Sequence, residues 1–234
     1  MATRRPEYER LAISDGKRAE MAQEDAAIEH PTPAPDAPVV AFDFDGTLTV
    51  RDSFSAFLKW RAGPLRWWLG CLRLAPAGLA YAFHRDRGRI KAEAVREFLT
   101  GTPRQQLEAD AKTFAEQYSR SLLRPDALEV WKRWRSEPVR LVIVTASPDF
   151  VVAPFARGLG ADQLIGTHFV FDAQDRITGA YVTPNCRGPE KVVRMKQAFG
   201  DNFRLKAAYG DTAGDREMIA MAETSGYQIF KGKP

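Results

Sequence analysis

Apolar positions along this chain follow two different periods. VVAF, residues 39–42, is a short, unbroken apolar run that ends abruptly in Asp-Phe-Asp-Gly, and it reads as a buried strand. RLVIVT (140–145) and LKAAYGD (205–211) repeat that pattern, and YQIF (227–230) predicts a last strand. Between the runs the spacing becomes helical. A helical stretch is predicted from about Ser53 to Tyr118, with breaks near Gly63-Pro64, Gly88 and Gly101-Thr102-Pro103. Further helices are predicted from Pro125 through Trp134, from Phe150 to Leu159, from Pro189 to Phe199, and after Asp211 to about Glu223. His168 to Val182 alternates apolar and polar residues around 172–175, which predicts a β-hairpin.

Strands alternating with helices predict an α/β fold with a central parallel sheet covered on both faces. The helical insertion after the first strand is too long for a simple crossover and predicts a separate cap. The expected division is a disordered tail and Pro-rich linker over 1–37, a core over 38–50 and 125–234, and a helical cap over 51–124. The tail reading rests on few large apolar residues, many charges and the run HPTPAPDAP.

The 234 residues suit one such domain plus its insertion, and the formal net charge of +4 says little until the charges are placed. From Arg51 to Lys91 there are nine basic residues against two acids, Asp52 and Asp86, interleaved with aromatic residues such as Phe54, Trp60, Trp67 and Trp68. That density fits an anionic lipid surface, and equally a compact cap with an apolar inner face and a solvated basic outer face. No nucleic-acid-binding motif is present, so a nucleic-acid partner is not expected. Leu65 to Phe83 approaches the length of a membrane span, but Arg66, Arg73, Pro76 and Gly78 interrupt it. It is expected to lie at a membrane surface or pack inside the protein. Cys71 and Cys186 offer neither a disulfide framework nor zinc spacing, and His30, His84 and His168 form no ligand pattern. The charged opening MATRRPEYER has no apolar signal core. These features predict a cytoplasmic protein, with peripheral contact at the inner membrane surface as an open alternative.

Three predicted strands end in acid or hydroxyl residues: Asp43 and Asp45, Thr145, and Asp211. Ligands of open parallel sheets bind beyond the carboxyl ends of the strands, so one fold gathers these groups in one crevice. Asp43 and Asp45 are two residues apart, a spacing that places both side chains on one side of an extended chain.

Four blocks in order, DFDGTLT (43–49), VIVTAS (142–147), GPEK ending at Lys191, and GDTAGDREM (210–218), resemble the haloacid dehalogenase-like phosphatases of the branch that includes phosphoserine phosphatases, subfamily IB. DGTLTVRDSFSAFL and CRGPEKV are similar to the phosphatidylglycerophosphatase C type. The resemblance implies a Rossmann-like three-layer α/β/α core with an inserted α-helical cap of the C1 type, and a Mg²⁺-dependent phosphomonoesterase working through an aspartyl-phosphate. It implies Asp43 as nucleophile, Asp45 as general acid and base, Thr145 on the transferring phosphoryl group, and Lys191 as charge stabiliser. Mg²⁺ would be held by Asp43, the backbone carbonyl of Asp45, Asp211 and Asp215, the last directly or through water. Asp215 and Ser147 have alternative readings as helix caps. Gly46 and the amide of Ala146 would face the phosphate. Asp52 stands where phosphoserine phosphatases carry a substrate-binding glutamate, and Arg96 is the candidate for their cap arginine. The substrate implied is a phosphorylated small molecule or a phospholipid head group, the latter slightly favoured, with phosphoserine as the alternative. A phosphotransferase would use the same residues.

Overall fold

The computed structural model describes residues 33, 34, 36–75 and 87–234. Residues 1–32 and 35 of the tail expected over 1–37, and the end of the apolar stretch, residues 76–83, lie outside the described residues. Strand β1 (Val39–Phe42) is buried at all four positions and sits in the middle of a five-stranded parallel sheet. Beside it run β2 (Arg140–Pro148) and, beyond that, β3 (Gln163–Thr167); on its other side run β6 (Leu205–Gly210) and then β7 (Thr224–Tyr227). Phe42 pairs in register with Ile143 of β2 and with Tyr209 of β6, so these three strands end side by side.

The two-residue period of the strands sorts the core into two sets. Val40, Phe42, Leu141, Ile143, Ala207 and Tyr209 face one way. They pack under helices α1 (Ser53–Arg73), α2 (Arg87–Leu99), α3 (Arg104–Leu122), α4 (Pro125–Arg135) and α5 (Asp149–Gly158), with the ring of Phe42 stacked 4.4 Å from that of Tyr209. Val39, Ala41, Val142, Val144 and Ala208 face the other way, against Met195 of α6 (Pro189–Phe199) and Met218 of the short α7 (Arg216–Ala220). This is the three-layer arrangement that alternating strands and helices predict. A two-stranded antiparallel hairpin, β4 (Phe169–Phe171) with β5 (Ile177–Tyr181), stands apart from the sheet at the position expected for it.

The long insertion enters and leaves the sheet domain at one place. Thr49 and Leu123 form an antiparallel bridge, and Val50 N–H donates to Leu122 O while Arg124 N–H donates to Leu48 O, both at 2.8 Å. Arg124 also donates from Nε to Gly46 O and Thr49 O, at 3.2 and 3.1 Å. The crossing point is thereby tied to the turn that follows β1. Within the insertion α1 kinks at Gly63-Pro64 and Gly101-Thr102-Pro103 separates α2 from α3, as predicted; the described part of α2 starts at Arg87, beside Gly88, and α3 runs on to Leu122.

Three other expectations change. β3 was not predicted; QLIGT holds only two large apolar residues, and its strand form comes from pairing with β2 along Val142 to Val144. The last strand is Thr224–Tyr227 and not YQIF, because Gln228 takes a left-handed φ of 55° and ends the ladder. Phe230 still enters the core, its ring 5.5 Å from that of Tyr209. The helix after Asp211 is broken into a tight turn over Ala213–Asp215 and a helix that ends at Ala220, short of Glu223.

Candidate active site

The sheet runs β1, β2, β3 in one direction and resumes at β6 on the other side of β1. Strand order therefore reverses between β1 and β6, where open α/β sheets bind their ligands. Asp43 is the first residue past β1, and Asp211 the first past β6. Gly46, at φ 84°, turns the chain after Asp43 so tightly that a Cβ there would lie 2.2 Å from Asp211 Oδ2. Only glycine allows that approach. The side chains of Asp43, Asp211 and Asp215 bring carboxylate oxygens within 4.8 Å of one another.

Lys191 lies on the first turn of α6 and is buried beneath this cluster, at 1% exposure. Its Nζ donates to Asp43 Oδ1 at 2.6 Å and to Val144 O at 2.6 Å, and it stands 2.7 Å from Asp215 Oδ1. Burial alone would drive the ammonium towards neutrality, but Asp43 and Asp215 outweigh it and hold the lysine charged, above its ordinary range. The carboxyl of Asp43 is pushed up to about 7 by burial, against the pull of Lys191 and with a further push from Asp215. Asp211 is also raised, by burial and then by Asp215, and Thr47 Oγ1 reaches its Oδ1 at 3.5 Å. Asp215 is lowered overall: Lys191 and the Thr212 bonds overcome its burial. Its Oδ2 accepts from Thr212 N–H and Oγ1, each at 2.9 Å, so it closes a capping box on the turn Ala213–Asp215 rather than capping α7.

Asp45 points elsewhere. Its carboxylate accepts from Ser53 N–H at 2.6 Å and from the Ser147 hydroxyl. Burial raises it, and repulsion from Asp52 adds to the effect. The push from the neighbouring carboxylate is therefore second to desolvation. Ser147 serves this bond and not a helix cap, since α5 begins after Pro148. Thr145 Oγ1 accepts from Ser147 N–H at 3.0 Å, which shapes the turn at the end of β2. Asp52 caps α1, accepting from Ser55 N–H at 2.7 Å.

Asp43, Asp45, Asp52, Thr145, Ala146, Lys191 and Asp215 all line one cavity of about 460 Å³. Arg96 does not. It is exposed on the far side of α2, paired with Glu93 at 2.8 Å and packed against Gly179 of the hairpin. Other basic and polar residues line the cavity instead. Lys91, five positions earlier on α2, donates from Nζ to Ala146 O and Ser147 Oγ, both at 3.2 Å. Asn185 and Arg187, from the loop before α6, also line the cavity. The CRGPEKV block holds Arg187 and was the one available signal for it.

A buried lysine between two carboxylates, a third carboxylate beside them and a further buried acid, Asp45, thus gather at the switch point of a parallel sheet. The chain belongs to the haloacid dehalogenase-like hydrolase family, whose model matches residues 40–220. Protein CicA of Caulobacter vibrioides (strain NA1000 / CB15N) is 61% identical over 196 residues, which cover 84% of this chain and 88% of CicA. Among solved structures, a Bordetella pertussis Tohama I protein of unknown function superposes with a TM-score of 0.67 at 24% identity, covering 81% of this chain and 89% of its own. A phosphoserine phosphatase, in the form of a phospho-aspartyl intermediate analogue, gives 0.53 at 18% identity, covering 81% and 85%. At those identities the two structures speak for the fold.

Proposed function

We propose that the protein is a Mg²⁺-dependent phosphomonoesterase that works through an aspartyl-phosphate on Asp43. The observation that carries this reading is the Lys191–Asp43 pair, 2.6 Å long, facing the cavity beside Asp211 and Asp215. A carboxylate oxygen of Asp43 attacks phosphorus as the bond to the ester oxygen breaks. Asp45, whose burial favours the protonated form, gives its proton to the departing alkoxide. The same carboxylate then takes a proton from water, whose oxygen displaces Asp43 and releases inorganic phosphate. Lys191 offsets charge on Asp43 and on the phosphoryl oxygens. Thr145 and the amide of Ala146 orient the phosphoryl group.

The donor set suits Mg²⁺. It is all oxygen, and two of its three carboxylates are raised by burial and mutual repulsion, a cost that a dication relieves. Asp43, Asp211 and the carbonyl of Asp45 would hold it. Both oxygens of Asp215 are engaged by Lys191 and Thr212, which favours contact through water. When bound, the ion supplies positive charge that polarises the phosphoryl oxygens.

Residues 51–124 act in this reading as a cap over the site, carried on the paired crossing at Thr49 and Leu123. The substrate is a phosphorylated metabolite or a lipid head group. Contact with an anionic membrane is supported by Leu65, Trp68 and Leu72, each more than two-thirds exposed on α1 and interspersed with Arg66 and Arg73. No helix among the described residues is long and apolar enough to cross a membrane. The free thiols of Cys71 and Cys186 fit a reducing cytoplasm.

The test is phosphate release from serine, glycerol, p-nitrophenyl and lipid phosphates with Mg²⁺ and with chelator. Release that needs Mg²⁺ from at least one ester is expected. No release from any ester would reject the reading.

A further inference from the structure

The cavity above Asp43 has two kinds of wall. Apart from Ala146, what the sheet and its loops contribute is polar or charged, from Asp43 and Asp45 to Lys191, Asn185 and Arg187. What α1 and α2 contribute is largely hydrocarbon: Phe54, Leu58, Trp67, Leu74, Ile90 and Phe98. Few polar residues line it from that side: Ser55 on the first turn of α1, Lys91 on α2, and Asp52 just before α1. Lys91 is bonded to Ala146 O and Ser147, and Asp52 caps α1. The apolar wall is firmly built. Trp67 and Phe98 stack with centroids 5.3 Å apart, and Gly70 lets Phe98 press against α1, where a Cβ would lie 2.2 Å from the ring.

We infer that this apolar end is a binding site for the leaving group, and that the substrate is a phosphate monoester of an apolar alcohol. Its phosphorus sits at Asp43 and its hydrocarbon body lies between α1 and α2. The inference rests on the phosphomonoesterase reading and specifies its substrate. A zwitterionic leaving group would lose water from its charges against Trp67, Ile90 and Phe98 without gaining partners, which is costly. An apolar body gains with each carbon buried. The volume of about 460 Å³ lies within the range of sites for whole small molecules, so there is room beyond the phosphate.

Binding of n-alkylphosphonates from ethyl to octyl, followed calorimetrically with Mg²⁺ present, tests this without requiring turnover. In the wild-type protein affinity should rise about threefold to fourfold per methylene until the chain fills the cavity. Ala94→Phe places a ring in the lining, and Leu74→Glu places a charge there. Each should flatten the series, bringing the octyl-to-ethyl affinity ratio down at least tenfold. The wild-type series stands even where a variant fails to fold by circular dichroism. Affinity independent of chain length in the wild type, or an unchanged ratio in a folded variant, would overturn the inference. A rising series without hydrolysis of any ester would leave the apolar site standing and remove the phosphatase reading. Two sources share this chemistry, and turnover separates them. Cleavage of phosphatidate in phosphatidylcholine vesicles with no cleavage of dissolved octyl phosphate identifies a membrane lipid. Cleavage of octyl phosphate alone identifies a soluble ester.

Discussion

Asp43 and Lys191 form a buried ion pair, Oδ1 to Nζ 2.6 Å, between residues 148 positions apart in the chain. Lys191 is anchored from behind by Val144 O and from the side by Asp215, so its position does not depend on Asp43 alone. Asp43 in turn is fixed at the backbone, its N–H donating to Tyr209 O at 2.9 Å. The pair thus stitches β1, β2, β6 and α6 together at the floor of the cavity.

The position of Asp43 is held at a cost in stability that depends on pH. Its carboxyl sits at about 7 in the folded protein against an ordinary 3.8. Between those values the folded chain keeps a proton that the unfolded chain has released, so the group's contribution to stability falls as pH rises through that window. Asp43→Asn removes the fall. In chelator, urea unfolding should show the variant gaining on the wild type between about pH 4 and pH 8, by an amount on the order of a few kcal/mol. A difference that stays constant with pH would contradict the burial argument.

In the proposed reading Mg²⁺ competes with the protons that Asp43 and Asp211 hold above the ordinary range. The rise in melting temperature on adding Mg²⁺ should therefore grow from about pH 5 to pH 8. Asp211→Asn should abolish most of it. A rise that is equal at both ends of the range, or intact in Asp211→Asn, would place the ion elsewhere.

Gly46→Ala combines a left-handed backbone with a steric collision on Asp211 Oδ2. The backbone effect alone should destabilise by about 1 kcal/mol or more. Displacement of Asp211 should weaken Mg²⁺ affinity at least tenfold, read by titration of the melting temperature. Unchanged affinity would show that Asp211 needs no glycine beneath it.

Asp45 lies outside the carboxylate cluster, and its neutral form is favoured by burial. Asp45→Asn should leave Mg²⁺-induced stabilisation intact while slowing turnover by about 10²–10⁴. The loss should be smaller for p-nitrophenyl phosphate, whose leaving group needs little protonation. Equal activity in wild type and variant would remove Asp45 from proton transfer.

Much of this centre was legible in the sequence because it is built from strand ends. Asp43, Thr145 and Asp211 follow apolar runs that had to be buried strands, and a parallel sheet brings such ends together whatever lies between them. Lys191 was legible only through its motif; nothing local marks a lysine on an amphipathic helix as buried. Lys91 and Asn185 were not legible, and Arg187 was marked only by the CRGPEKV block, since their place depends on how α2 and the loop before α6 lie over the sheet. Arg96 illustrates the same limit in reverse: five residues along α2 from Lys91, it falls on the opposite side and meets Glu93 and the hairpin. β3 was hidden because QLIGT is a weak strand signal completed by its neighbour, and YQIF misled because Phe230 is buried by its ring and not by a ladder.

In the proposed reaction phosphate passes covalently through the side chain of Asp43. Turnover stopped by acid within milliseconds, followed by mass spectrometry of the proteolysed protein, reads it directly. The peptide carrying Asp43 should hold one added phosphoryl group, labile to hydroxylamine, and should lack it in Asp43→Asn. An active enzyme with no phosphoryl group on that peptide, or with the group on another residue, would contradict the account.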